Sequence, residues 1–323
     1  MITQWIEKRN CEQRPLHIIK NGNADSPKSE KVWRKAEAYL KQRRIPYLVY
    51  QTEYQGHAYE IAERVAREHA PAEVAIIVVG GDGTFHEVLN GASVNPSAII
   101  GCLPGGSGND YVRGVQVIKD LDKVIKAAHH EKQTRAVDIG QVESGGKRHS
   151  FINSVGMGFD ASICQSVNQS KWKKRLQPLK LSKFIYIYYL FQQLFRFRTF
   201  DADVTVDGKK KKYTRVWFIV AANQPYFGGG IKVSPKSKPD DGKLQCIIVS
   251  GLPSFVFLFV FLTVLWGGHL NLRWVDHYSC SKLSVRSAGK ALIEADGEQI
   301  GHTVMDVGIK PRRLRIISPF KGE

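Results

Sequence analysis

Hydrophobic positions in the first 140 residues fall into short apolar runs separated by stretches of helical spacing. PLHIIKN (15–21) reads as a buried strand running into a polar turn, and PYLVYQT (46–52) as a second strand. VAIIVVG (74–80) is continuously apolar, as a strand covered on both faces should be, and AIIGCLP (98–104) repeats that texture. Between these runs, 26–41 predicts a helix, Ala58, Ile61, Ala62, Val65 and Ala66 recur at helical spacing, and another helix opens over 84–90. Strand–helix alternation of this kind predicts an α/β domain over residues 12–140, a parallel sheet flanked by helices.

After about residue 137 the pattern changes. AVDIGQV, HSFINSVG, ADVTV, YTRVWFIVAAN, KLQCIIVS, KLSVRS and ALIEAD are short β-type runs, and Asp207-Gly208 reads as a hairpin turn. One helical insertion is expected around 171–197. Residues 141–311 thus predict an antiparallel β domain, while RRLRIISP (312–319) belongs to neither half on pattern alone. Phe255 to Trp266 (FVFLFVFLTVLW) contains one polar residue, Thr263. A spanning helix needs roughly 20 apolar residues, so this run is too short to cross a bilayer. It is either a fully buried core helix or strand, with Phe at 255, 257, 259 and 261 hinting at strand periodicity, or a segment that dips into a bilayer surface.

Length and composition fit two globular domains, with 323 residues, 43% of them hydrophobic. Charge adds more. A net charge of +17, from 47 Lys+Arg against 30 Asp+Glu, calls for an anionic partner: nucleic acid, an anionic membrane surface or polyphosphate. Lys171 to Phe200 mixes eight Lys/Arg with nine aromatics, a combination suited to the bilayer interface, although an ordinary helix with its lysines in water would read the same way. Lys209 to Lys212 reads as a solvated hairpin edge. Cys11, Cys102, Cys164, Cys246 and Cys280 are scattered without a Cys-x-x-Cys pair, which argues against a zinc site or disulfide framework and fits a reducing cytoplasm. MITQWIEKRNCEQR lacks the apolar core of a signal peptide.

The chemistry concentrates in two glycine loops. VVGGDGTFHEVLNG (78–91) is a strand ending in Gly80-Gly81-Asp82-Gly83-Thr84, and a helix begins at once. Thr84 and Glu87 have capping-box spacing, which places the helix start at the loop. Glycines let backbone approach a ligand closely, and N–H groups at a helix N-terminus suit phosphate. A carboxylate there, Asp82, makes sense if Mg²⁺ lies between it and a nucleotide. The second loop, Leu103-Pro104-Gly105-Gly106-Ser107-Gly108-Asn109-Asp110, follows the next strand, so both loops would open at the carboxyl edge of the sheet. Neither a P-loop nor the protein-kinase motifs occur. Acids gather at two later turns, Asp240-Asp241 and Asp296-Gly297-Glu298; phosphoryl transfer needs charge neutralisation and a base at the acceptor hydroxyl, although turn acids are also commonly just solvated.

GGDGT followed by P-x-G-[ST]-x-N-D resembles the catalytic domain of diacylglycerol kinases, sphingosine kinases and related bacterial lipid kinases. The resemblance extends through Asn21, Thr52, Gly156-x-Gly158-Phe159-Asp160, Gly228-Gly229-Gly230, Pro239-Asp240-Asp241-Gly242 and Asp296-Gly297-Glu298. It implies an N-terminal nucleotide domain, a C-terminal β-sandwich, an active site in a cleft between them, and a final segment (312–323) returning to the N-terminal domain. It implies ATP and Mg²⁺, a lipid hydroxyl as acceptor with diacylglycerol foremost, and work at the inner face of the membrane from the cytoplasm. A homodimer is compatible with it and nucleic acid is not a partner.

Position by position, the resemblance assigns nucleotide binding to Asn21, Gly22, Asn23, Ala24 and Asp25, to Thr52, to Gly80, Gly81, Asp82, Gly83, Thr84, Phe85 and His86, and to Gly106, Ser107 and Asn109. Asp82, Asp240, Asp110 and Arg113 match a hydrogen-bonded network to the catalytic metal. Asp241 matches a structural Mg²⁺ ligand, with the main-chain carbonyls of Lys238 and Lys243. Glu298 matches the general base, with Asp296 as its rival two residues away on the same side of an extended chain. Three departures stand out. Asn21-Gly22 replaces the usual Asn-Pro, which loosens that loop; Ser107 replaces threonine; Lys238 and Lys243 replace the usual residues. A soluble NAD-kinase-like enzyme shares GGDGT but would not need the 171–200 and 255–266 stretches. A catalytically silent lipid- or nucleic-acid-binding protein would not need both loops together with Asp82, Asp241 and Glu298.

Overall fold

The structure, a computed structural model, describes residues 14–22, 27–106, 109–115, 120–130, 134–170, 182–228, 230–264 and 266–318. It divides into two compact units, Met1–Val137 with Arg312–Glu323, and Asp138–Pro311.

In the first unit the strands are β1 (Leu16–Lys20), β2 (Tyr47–Gln51), β3 (Val74–Gly80) and β4 (Ala98–Pro104). They alternate with α1 (Pro27–Arg43), α2 (His57–His69), α3 (Asp82–Ala92), α4 (Asp110–Gly114) and α5 (Leu121–His130). The strands are parallel in the order β2-β1-β3-β4, as the alternation predicts. β3 is almost wholly buried because helices cover both faces of the sheet. Leu16, Ile18, Ile77 and Val79 pack with Trp33 and Leu40 of α1 and Val124 of α5. Chain order reverses between β1 and β3, and the loops that follow those strands meet there, the usual ligand position in such sheets.

The second unit is antiparallel. Its strands are β5 (Thr134–Ser144, entered from the first unit), β6 (Lys147–Phe151), β7 (Ser154–Gly158), β8 (Phe200–Val206), β9 (Lys209–Ala222), β10 (Leu244–Ser250), β11 (Val275–Cys280), β12 (Lys282–Ser287), β13 (Leu292–Ala295), β14 (Glu298–His302) and β15 (Val304–Ile317). They form a β-sandwich. Val155, Met157, Ile219, Ala221, Cys246, Val285 and Ile293 lie in its core. Among the described residues three α-helices accompany it: α6 (Phe159–Gln169), α7 (Ser182–Arg196) and α8 (Ser254–Val264). The end of β15 leaves this unit and pairs in parallel with β4, Arg315 opposite Ile99, which gives residues 312–317 the place that pattern alone leaves open.

Two expectations change. HSFINSVG divides into β6 and β7, and a helix, α6, follows where none is predicted. Phe159, Asp160, Ala161 and Val167 are buried and its other polar residues are partly or fully exposed, a mixed face that a short window does not reveal. Residues 254–264 take the helical of the two forms left open, against the strand hint of the phenylalanines, because an unbroken apolar run carries no period and Pro253 opens a helix by accepting N–H bonds from Val256 and Phe257. Nor is that helix fully buried: Phe257, Val260 and Val264 are inside, Phe255 and Phe259 outside.

Candidate active site

The two glycine loops are held backbone to backbone. The Gly105 N–H donates to the Gly80 carbonyl at 2.8 Å, and a Cβ added to Gly106 would lie 2.6 Å from the Gly81 Cα. Only glycine permits that approach. The α3 N-terminus at Gly81 carries no side-chain cap, so the Thr84/Glu87 capping box is not formed. Thr84 lies one turn inside the helix and cannot reach back. Its hydroxyl accepts the Asn21 Nδ2–H at 3.0 Å, and Glu87 accepts the Ala58 N–H at 3.1 Å, tying α3 to its neighbours.

Asp82 and Asp110, which the resemblance puts in one network, meet through the backbone. The Asp82 Oδ2 accepts the Asp110 N–H at 3.0 Å and its Oδ1 the Tyr111 N–H at 3.2 Å, so the carboxylate of the first loop caps the short helix of the second. Burial raises its pKa and the neighbouring Asp110 charge adds to that, against the lowering by the backbone N–H groups. Asp82 thus has a structural role between the two glycine loops that needs no metal to explain it. Asp110 in turn pairs with Arg113 at 3.0 Å. Asn109, at a left-handed φ of 55°, donates to the Gly106 carbonyl at 2.9 Å. Phe85 is wholly buried against Tyr111 and supports the loops from beneath, and His86 meets Asn90 at 3.0 Å.

At the first loop, Gly22 is gripped rather than loosened. Its N–H donates to Thr52 Oγ1 at 3.2 Å, a bond proline could not make, and a Cβ would sit 2.1 Å from the Thr52 carbonyl. Asn23, Ala24, Asp25 and Ser107 lie outside the described residues, as do 171–181 and Gly229.

In the second unit the hairpin acids separate. Asp296 and Gly297 have φ of 49° and 88°, so the chain turns there and the same-side expectation for residues 296 and 298 fails. The Asp296 carboxylate accepts three N–H bonds, from Ile152 (2.8 Å), Asn153 (2.9 Å) and Ser154 (3.0 Å). Glu298, at the start of β14, is exposed. Asn168 of α6 donates to the Gly297 carbonyl at 2.9 Å and Gln165 to Gln299 Oε1 at 2.8 Å, which brace the hairpin from the helix side.

A family model described as "Diacylglycerol kinase catalytic domain" matches residues 15–142, and "YegS C-terminal NAD kinase beta sandwich-like domain" matches 153–318, half the chain. The chain belongs to the diacylglycerol kinase-like family of lipid kinases.

A Bacillus subtilis (strain 168) protein named "Putative lipid kinase YtlR" is 27% identical over 303 residues, 93% of this chain and 98% of its own length. The diacylglycerol kinase of the same organism is 28% identical over 267 residues, covering 80% and 82% of the two chains. A crystal structure of a diacylglycerol kinase from Bacillus anthracis str. Sterne superposes with a TM-score of 0.67 at 19% identity, over 97% of this chain and 99% of the other, which speaks to fold alone.

Within this lipid kinase, the turn at 238–243 is held from inside by a residue the sequence reading passed over. Asp138, wholly buried, accepts the Gly242 N–H at 2.7 Å and gives its own N–H to the Pro239 carbonyl at 2.7 Å. Asp241 is exposed, with Oδ1 accepting the Lys243 N–H at 3.0 Å, and Asp240 is half-buried. Among the described residues no three His, Cys, Asp or Glu side chains gather at one point. A Mg²⁺ at this turn would rest on one carboxylate and main-chain carbonyls, hard oxygen donors of the right chemistry. Lys28 was also passed over: its ammonium reaches the Gly106 carbonyl at 3.1 Å, bringing a positive charge to the second loop. Two further acids, Asp160 and Glu294, are buried at the foot of the Asp296–Glu298 hairpin. A Cβ on Gly156 would lie 1.8 Å from Asp160 Oδ2 and 3.0 Å from Glu294 Oε1, so the two oxygens are at most about 4.8 Å apart, the sum of these distances. Burial pushes both carboxyls up, Asp160 to about 7, and the Asp160 charge pushes Glu294 further. The sequence signals were an acid inside the apolar run ALIEAD for Glu294 and the Gly156-x-Gly158-Phe159-Asp160 stretch of the resemblance for Asp160.

Proposed function

We propose that this lipid kinase uses ATP and Mg²⁺ to phosphorylate the hydroxyl of a membrane lipid, with diacylglycerol as acceptor and phosphatidic acid as product. The observation that carries the reading is the Asp82 carboxylate accepting the N–H groups of Asp110 and Tyr111, which locks two glycine loops together at the carboxyl ends of β3 and β4. Locked loops present main-chain N–H groups at fixed positions, the preorganisation that binding a polyphosphate requires. Lys28 and Arg113 supply positive charge, and Asn21, Gly22 and Thr52 form the neighbouring wall.

Glu298 is the base. An alcohol is a poor nucleophile at neutral pH, and Glu298 is exposed on a braced hairpin whereas Asp296 is turned inward onto three backbone donors. Glu298 takes the proton of the lipid hydroxyl, the freed oxygen bonds to the γ-phosphorus, and the bond to the bridging oxygen breaks to release ADP. Asp241 with the carbonyls of Lys238 and Lys243 would hold a Mg²⁺ that ties the turn. Mg²⁺ bound with the nucleotide would neutralise phosphate charge.

Purified protein with γ-labelled ATP, Mg²⁺ and mixed micelles of diacylglycerol, phosphatidylglycerol, a sphingoid base or an isoprenoid alcohol tests this, with NAD as a soluble acceptor. Label is expected in phosphatidic acid. Label in another lipid replaces the acceptor. Label in NAD alone overturns the lipid reading, and label nowhere overturns the kinase reading.

A further inference from the structure

Helices α7 and α8 stand on one aromatic core. Phe197, just past α7, stacks on Trp217 with ring centroids 5.8 Å apart, and Phe257 of α8 stacks on the same Trp217 at 4.3 Å; both rings also meet Phe159 edge-on. Leu194 of α7 and Phe257, Val260 and Val264 of α8 are buried in this cluster. The opposite faces are apolar too. On α7, Tyr188, Phe191 and Phe195 recur at spacings of three and four, and Phe195 is 83% exposed. On α8, Phe255 (71% exposed), Phe259 (66%) and Leu262 form a second such row, and Trp266 (67%) continues it just past the helix. A helix apolar on every face belongs in a core or in lipid, and α8 has a core on one side only.

The charge around these rows is one-signed. No Asp or Glu occurs in 182–200 or in 251–275. Arg196, Arg198 and Arg273 are exposed, and Arg273 lies over the Trp274 ring at 4.4 Å. Arginines beside Tyr and Trp on an apolar ground match the interfacial zone of a bilayer, where rings sit at headgroup depth and cations meet lipid phosphate. A second copy of this chain fits worse. In a two-fold dimer a patch meets itself, and these arginines would face one another from segments that carry no acid of their own.

We infer that the outer faces of α7 and α8 form a docking surface for an anionic phospholipid bilayer, with the aromatic rows entering the headgroup–acyl boundary and Arg196, Arg198 and Arg273 at the phosphates. This rests on the lipid kinase reading above, since it is how an enzyme with no membrane-crossing helix among its described residues reaches a bilayer-resident acceptor.

The test uses the full chain with two double variants, Phe195→Ser/Phe259→Ser and Arg196→Gln/Arg198→Gln. Vesicles of phosphatidylcholine alone, and of phosphatidylcholine with phosphatidylglycerol, are sedimented with each protein. The wild type should prefer the anionic vesicles, and the aromatic variant should bind them at least ~10-fold more weakly. The arginine variant should lose roughly 10-fold or more and show a weaker salt dependence. Turnover is measured in parallel on vesicle-borne diacylglycerol and on dispersed dioctanoylglycerol. Both variants should lose the first and keep the second. Wild-type vesicle binding by both variants overturns the proposal, and so does loss of turnover on the dispersed acceptor, which would make these residues part of the fold or the site. A wild-type dimer in sedimentation velocity that the aromatic variant dissociates, with vesicle binding unchanged, overturns it in favour of a second copy. If the wild type phosphorylates neither acceptor yet binds vesicles through these residues, the surface stands and the kinase reading falls.

Discussion

The glycine loops of the first unit and the β13–β14 hairpin of the second solve a similar local problem in opposite ways. Each contains an aspartate beside a glycine whose carboxylate accepts backbone N–H groups, two for Asp82 and three for Asp296. At the loops this bond joins two segments and fixes their main-chain N–H groups, which in the function proposed above hold the nucleotide. The acid there is infrastructure, and in the proposed function the backbone meets the phosphates. At the hairpin the aspartate anchors the turn, and the glutamate two residues on is left exposed, where the proposed function uses it as the base. The same short text, acid next to glycine, thus builds a donor cradle in one place and presents a single acid in the other.

The sharpest test of that contrast is at the hairpin. Glu298→Gln should lower turnover at least ~100-fold with ATP affinity nearly unchanged, because a positioned base contributes about 10²- to 10⁴-fold. Asp296→Asn should instead act mainly on stability, weakening up to three N–H contacts and lowering stability by about 1–3 kcal/mol in thermal unfolding. The reverse pattern, with Asp296→Asn catalytically dead at wild-type stability, would reassign the base. Asp82→Ala is the matching test at the loops. It leaves two N–H groups without their acceptor, so KM for ATP should rise and turnover fall, each by roughly 10-fold, while circular dichroism stays native. Wild-type kinetics in that variant would break the comparison by showing that the loops do not need their tie.

A third experiment probes why the hairpin can present one acid alone. Its other acids, Asp160 and Glu294, are buried with carboxyls held well above the usual range. The native state therefore binds protons that the unfolded chain releases. Stability should be greatest below about pH 4 as far as Asp160 is concerned, and fall as pH rises toward about 7, by up to ~1.4 kcal/mol per pH unit for one proton. Asp160→Asn should flatten that slope and raise the melting temperature at pH 8. An unchanged slope between pH 4 and 7 would mean that the pair does not hold its proton. The smallest effect is expected at the 238–243 turn. Mg²⁺ should raise the melting temperature of the wild type by a few °C, through mass action on the native state, and Asp241→Ala should remove the gain. An equal gain in both proteins takes Asp241 out of the metal site.

The parallel sheet and the antiparallel half were legible because each depends on a pattern carried within a few residues: continuous apolar runs at β3 and β4, short alternating runs after residue 137. The loops were legible for a related reason, since close backbone approach demands glycine and leaves it visible. The partners of the acids were not. Asp296 meets Ile152–Ser154 across more than 140 positions, Asp138 meets Gly242 across 104, and Asp160 meets Glu294 through the space left by Gly156. The helix at 254–264 was illegible as a helix because uniform apolarity has no period, and its bare face was illegible because exposure depends on what packs nearby.

By itself, then, the sequence determined the order of strands and helices, the change from parallel to antiparallel texture, and the positions where glycine brings two backbone segments together. These follow from local sterics and from the period of hydrophobic burial. Tertiary structure alone decided which carboxylate faces inward and which outward, that Asp82 serves the neighbouring loop, and that α8 is covered on one side only. A hydrogen bond or a buried charge is set by the group opposite it, and in this chain those groups arrive from strands and helices far away in sequence.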